Sequence, residues 1–101
     1  MEELQCRYDA KQSFYGKAKV ETTKSSIEQV KDLYSYETLV ARKITNFVDN
    51  IIIYELIPYN VNGKSKTQTT TRHQKEFFKQ NGLSDKQIKE LFKNGKLEEV
   101  L

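Results

Sequence analysis

The pattern of apolar positions changes period at the threonine run before Arg72. Ahead of it apolar residues recur at every second position over short stretches, and from it onward they recur at every third and fourth. In QSFYGKAKVE (12–21), Phe14, Ala18 and Val20 alternate with polar residues and predict a first strand, with Gly16 as a bulge or a close backbone approach. TTKSS reads as a turn. In IEQVKDLYSY, Ile27, Val30 and Tyr34 fit a helical stripe as well as they fit a strand, and the strand is placed at Leu33 to Tyr36. ETLVARKI predicts a third strand and NFVDN a turn. NIIIYELI, the most apolar run and rich in β-branched residues, predicts the central strand. Pro58 closes it, because proline has no N–H to give to a ladder. Tyr59 to Gln68 reads as a loop with a turn at Asn62-Gly63, and residues 1–11 read as a flexible lead-in without period.

Two helices are expected after this point, between residues 70 and 94. Thr71 and Gln74 have capping-box spacing, so the first helix is predicted to begin near Thr70 or Thr71. Steps of 100° place His73, Gln74, Phe77 and Phe78 on one face and Arg72, Lys75 and Lys79 on the other, with Gly82 as the stop. Ser84 and Gln87 repeat the capping-box spacing, Leu83 and Ile88 form a hydrophobic staple, and Ile88, Leu91 and Phe92 form the stripe of a second helix that ends at Gly95. KLEEVL reads as a tail whose Leu97, Val100 and Leu101 tuck against the sheet. The predicted fold is a single α+β domain over residues 1–101. An antiparallel sheet of three or four strands, mostly within 12–58, packs under one C-terminal helix, with a second short helix alongside.

Composition narrows the class. A chain of 101 residues, 37% hydrophobic and 31% charged, suits one soluble core. No run approaches the roughly 20 apolar residues of a membrane span. The beginning, MEELQCRYDA, is acidic where a signal peptide is basic and then apolar, so a cytoplasmic location is expected. The lone Cys6 fits a reducing compartment. Net charge is +3 and unevenly spread: residues 1–50 carry eight basic and eight acidic side chains, while Lys64 to Lys96 holds nine basic residues against Glu76, Asp85 and Glu90.

The candidate chemistry is sparse. His73 is the only histidine, which excludes the common two-histidine metal sites, and on the packed face it reads as a boundary residue donating one hydrogen bond to a carbonyl. Cys6 lies among Glu2, Glu3 and Asp9, the wrong surroundings for a thiolate. The carboxylates form no apolar pair, and Gly16 and Gly63 stand alone, so no phosphate-cradling loop is present. No catalytic residue, metal or cofactor is expected. The candidate binding residues are the basic group Lys64, Lys66, Arg72, Lys75 and Lys79, continued by Lys86, Lys89 and Lys93, and the strand tyrosines Tyr34, Tyr36 and Tyr54 with Tyr59 beyond them. Lysine faces commonly only solvate, and one arginine among many lysines supplies little of the bidentate geometry that reads bases.

Three segments, QSFYGKAKV (12–20), LYSYETLVA (33–41) and TTTRHQKEFFKQNG (69–82), together resemble a family of small proteins encoded by phages, prophages and other mobile elements. In that family a Tyr-Ser-Tyr strand precedes a threonine-rich approach to a helix bearing an Arg/Lys-His pair, here Arg72 and His73. The loop from Tyr59 to Gln68 and the helix from Ser84 to Asn94 depart from the family pattern, which leaves the partner surface open. The resemblance implies a small α+β domain of phage origin; it supplies no catalytic residues. The expected function is that of a non-enzymatic inhibitor, of the anti-CRISPR type, that contacts a host protein or nucleoprotein complex such as a defence nuclease. The alternatives are DNA or RNA binding through the basic helix face, and self-association through an exposed strand edge, so either a monomer or a homodimer is compatible.

Overall fold

The computed structural model describes residues 1–57 and 68–101 as an α+β fold in which one sheet is covered on one face by two helices. The sheet has six strands: β1 (Glu2–Glu3), β2 (Ala18–Lys24), β3 (Glu28–Ser35), β4 (Thr38–Asn46), β5 (Ile51–Leu56) and β6 (Lys96–Val100). They lie in sequence order, each antiparallel to the next. Helices α1 (Gln68–Gln80) and α2 (Asp85–Asn94) are inserted between β5 and β6. Neither described helix is long and apolar enough to cross a membrane.

Six strands replace the predicted three or four, and the surplus comes from segments whose own pattern is weak. Glu28 to Asp32 has Val30 as its one apolar residue, yet it pairs throughout with β4 and from Gln29 onward with β2, so the ambiguous stretch is a strand from Glu28 to Ser35. KLEEV, read as a tail, is ordered by its ladder to β5, with Tyr54 opposite Leu97 and Ile51 opposite Val100. Leu97 packs on the core, whereas Val100 and Leu101 are exposed and do not tuck in. β5 is therefore second from the edge, and β3 and β4 take the middle of the sheet. The first predicted strand is shifted to Ala18–Lys24, which leaves Gly16 in the turn before it. Residues 1–11 contribute β1 and the buried Leu4, tied to the sheet by Leu4 N donating to Ala18 O at 2.9 Å. The readings at Pro58 and the Asn62-Gly63 turn, and the candidates Tyr59, Lys64 and Lys66, lie outside the described residues.

Alternation decides the faces. Ala18, Leu33, Ala41, Tyr54 and Leu97 face the helices, and Phe77, Phe78, Leu83, Ile88 and Leu91 meet them from above. α1 lies over β3 and β4, and α2 over β5 and β6. A bulge sets the contact of α1 with the sheet. Leu33 pairs with Ala41 but Tyr34 pairs with Leu39, so Val40 is the extra residue. Its carbonyl accepts from Ile57 N at 3.1 Å and from the buried Gln74 Nε2 at 3.0 Å. That bond removes Gln74 from the capping box predicted with Thr71, and α1 begins earlier, at Gln68. At its other end, Leu83 N donates to Phe78 O and Gly82 N to Lys79 O, with Gly82 at φ 96°, the left-handed closure that glycine adopts most cheaply. α2 carries the reciprocal capping box of Ser84 and Gln87 and stops at Gly95.

Candidate functional site

His73, on the buried face of α1, is fully enclosed and sits where the three motif segments of the sequence meet. From the first segment, the Phe14 ring packs edge-on against it at 4.5 Å between centroids. From the second, Ser35 Oγ lies 2.8 Å from His73 Nδ1, and the Tyr36 ring lies 5.8 Å from the imidazole. From the third, one turn before His73, Thr70 Oγ1 lies 3.0 Å from the same Ser35 hydroxyl. Burial pushes the histidine down to about 4, with nearby Asp9 opposing the shift and Lys11 adding to it, so the imidazole is neutral at pH 7. Its Nε2 has no hydrogen-bond partner among the described residues. An Nδ1–H donated to Ser35 leaves Nε2 as a bare acceptor and frees the serine hydroxyl to donate to Thr70. This tautomer is assigned from the network. The partner of His73 is thus a hydroxyl rather than the carbonyl expected from the sequence. Ser35 is also buried, and the Ser–His pair ties the segments together.

Two tight turns are held at this end of the sheet. Between β3 and β4, Tyr36 (φ 50°) and Glu37 (φ 69°) are both left-handed, and Ser35 pairs with Thr38 across them. This is the type I′ hairpin geometry that ordinarily selects Asn-Gly. Before β2, Tyr15 (φ 52°) and Gly16 (φ 73°) are also left-handed, and Lys17 N donates to Phe14 O at 2.9 Å. Tyr36 N donates to Lys17 O at 2.9 Å, which locks one turn against the other. A non-glycine residue in this conformation costs about 1 kcal/mol or more, so three of them are retained only because the surrounding structure enforces them. The result is a pair of outward tyrosines, Tyr15 at 80% exposure and Tyr36 at 52%. Beside them a depression of about 320 Å³ is lined by Gly16, Lys17, Lys19, Tyr34, Tyr36 and Glu37.

The sequence-predicted candidates separate. Tyr34 and Tyr36 come together in this depression. Tyr54 does not: it is buried on the helix face, its hydroxyl donates to Asn81 O at 3.4 Å, and burial raises its pKa. Arg72, Lys75 and Lys79 share one side of α1, but Arg72 pairs with Asp9 at 3.5 Å and Lys79 with Asp85 at 2.9 Å. Tyr15, Lys17, Lys19 and Glu37 are additions that the strand pattern did not single out, because only the backbone turn brings them together. Cys6 is free and half-buried, and burial together with the charges of Asp9 and Glu76 raises its thiol pKa. Among the described residues no group of histidines, cysteines or carboxylates can hold a metal ion.

Neither a curated protein nor a solved structure matches the chain. Residues 2–94, which include all three segments around His73, match DUF8033, a family of unknown function. The chain belongs to that family.

Proposed function

We propose that the protein is a non-enzymatic binding protein that acts by protein–protein contact through the tyrosine-bearing end of its sheet. The observation that carries this reading is the pair of exposed tyrosines on adjoining left-handed turns. Large rings with few torsions, displayed on a backbone already held in place, lose little freedom on binding, which makes tyrosine a frequent anchor of protein interfaces. The resemblance of segments 12–20, 33–41 and 69–82 to small phage proteins supports a narrower version, in which the contact blocks a host defence nuclease in the manner of an anti-CRISPR inhibitor. The tyrosine end carries exposed Lys17 and Lys19 beside exposed Glu37, so the rings rather than the net charge recommend it over the lysines of α1.

DNA or RNA binding through Arg72, Lys75 and Lys79 is the competing reading, and two of those three cations already have carboxylate partners. Affinity capture from nuclease-treated host lysate separates the two. The expected result is a discrete protein partner that survives nuclease, is retained by the triple variant Arg72→Glu, Lys75→Glu, Lys79→Glu, and is lost by the double variant Tyr15→Ser, Tyr36→Ser. Loss of all partners on nuclease treatment, or retention by the tyrosine variant and loss by the charge variant, would overturn the proposal.

A further inference from the structure

A second concavity lies on the helix side, and it does not depend on the tyrosine reading. The chain before β2 crosses α1 as a strap, clipped by a buried carboxylate. Glu76 Oε1 accepts from three successive backbone N–H groups, those of Arg7, Tyr8 and Asp9, at 3.0, 2.8 and 2.8 Å. Gln80 Nε2 donates to Glu76 Oε2 at 2.6 Å and to Gln5 O at 2.5 Å. The strap, α1 and α2 enclose a groove of about 480 Å³. Its apolar surface comes from buried Ile88 and from the Phe92 and Tyr8 rings. Each ring is covered by an ammonium: Lys75 Nζ lies 5.9 Å from the Phe92 centroid, and Lys79 Nζ lies 5.6 Å from that of Tyr8.

The charges lining this groove are balanced in number but not in availability. Every carboxylate is already engaged: Asp9 by Arg72 and by the Lys11 N–H, Glu76 by the strap, and Asp85 by Lys79. Lys75 and Lys89 are both exposed, and neither has an ion-pair partner among the described residues. The lining side chains of α2 run from Asp85 to Phe92, which at the helical rise is about 10 Å, the span of three extended residues. We propose that this groove is a docking site for an acidic segment of a partner protein, about three residues long, whose apolar side chain rests on Ile88 between Tyr8 and Phe92 while flanking carboxylates meet Lys75 and Lys89. The occupant is specified by charge: an apolar segment alone leaves both ammoniums without a carboxylate, and a basic one meets like charge.

The test uses the full chain and two acetylated, amidated pentapeptides with a central phenylalanine, one flanked by aspartate and glutamate pairs and the other by serine and glutamine pairs. Amide chemical shifts are followed at low salt and again at 0.5 M salt. The acidic peptide is expected to shift the amides of Lys75, Ile88, Lys89 and Phe92 and to bind about tenfold more tightly than the neutral one, with the advantage shrinking at high salt. The double variant Lys75→Glu, Lys89→Glu, both at exposed positions, is expected to keep the native spectrum and reverse the preference in favour of a lysine-flanked peptide. Equal binding of acidic and neutral peptides, shifts confined to residues outside the groove, no reversal in the double variant, or binding by free phenylacetate but not by the acidic peptide would each overturn the proposal. Because this readout involves no tyrosine of the other site, its failure leaves the contact through Tyr15 and Tyr36 standing.

Discussion

The two concave regions of this molecule are built over two buried polar residues of the same helix, less than one turn apart, that work in opposite ways. At the tyrosine end, His73 is neutral and is bonded through Nδ1 to a hydroxyl it shares with Thr70. On the helix side, Glu76 gathers three backbone N–H groups and an amide. The first arrangement fixes two turns and leaves their rings outside; the second fixes a strap and makes one wall of a groove. A buried polar group is costly unless bonded, so each pins its neighbours to one geometry in a way apolar packing does not. The surfaces above differ accordingly, one aromatic on a strained backbone and the other cationic over an apolar floor.

The comparison can be broken from either side. Glu76→Ala is expected to have the largest effect, about 3 kcal/mol, because three backbone donors lose a charged acceptor together. Urea unfolding reports the loss, and hydrogen exchange should show protection falling at Arg7, Tyr8 and Asp9 before the tyrosine end is affected.

His73 gives an effect of similar size that appears only in acid. Its folded value of about 4 lies below the ordinary 6.5, so above pH 6.5 both folded and unfolded chains hold it neutral and its contribution is complete. As pH falls from 6.5 to 4 the unfolded chain takes up the proton first, and stability drops by about 3 kcal/mol. His73→Asn, which keeps a donor toward Ser35 but cannot titrate, should lose about that much less than wild type across the same window, measured by urea midpoints at pH 7 and pH 4.

Ser35→Ala removes the hydroxyl that joins His73 to Thr70, and about 2 kcal/mol is expected to go with it. The Tyr36 ring should become more mobile, visible as averaging of its side-chain resonances, while the groove amides are unmoved. The smallest effect has the opposite sign. Glu37→Gly relieves one left-handed non-glycine residue of the β3–β4 turn and should stabilise the protein by about 0.5–1 kcal/mol. A loss of stability there would contradict the strain assigned to this turn.

What was legible in the sequence follows the range of the interactions. Ser84, Gln87 and Gly95 act within one helical turn, and the reading of α2 needed nothing more. The first half of β3 has Val30 as its one apolar residue and β6 is five residues long, so neither carries a clear periodic signal; both are held by a neighbouring ladder. Thr71 and Gln74 had the right spacing for a cap, but the Val40 bulge claims the Gln74 amide, a contact 34 residues away in sequence. Tyr34 and Tyr36 were visible as an alternating pair. Tyr15 and Lys17 were not, because they reach the same place only through a second left-handed turn docked on Lys17 O. The Arg72 and Lys79 cations were visible too, but their partners Asp9 and Asp85 come from elements whose placement the spacing could not supply.

The central claim, that the turns held over His73 form the contact surface, is tested most directly by site-specific photocrosslinking in cells. Benzoylphenylalanine replaces Tyr36 in one protein and the exposed Lys93, outside both concavities, in a control. The account predicts one discrete protein adduct from position 36 that survives nuclease digestion, and none from position 93. Adducts of equal yield from both positions, or a nuclease-sensitive adduct at position 36, would contradict it.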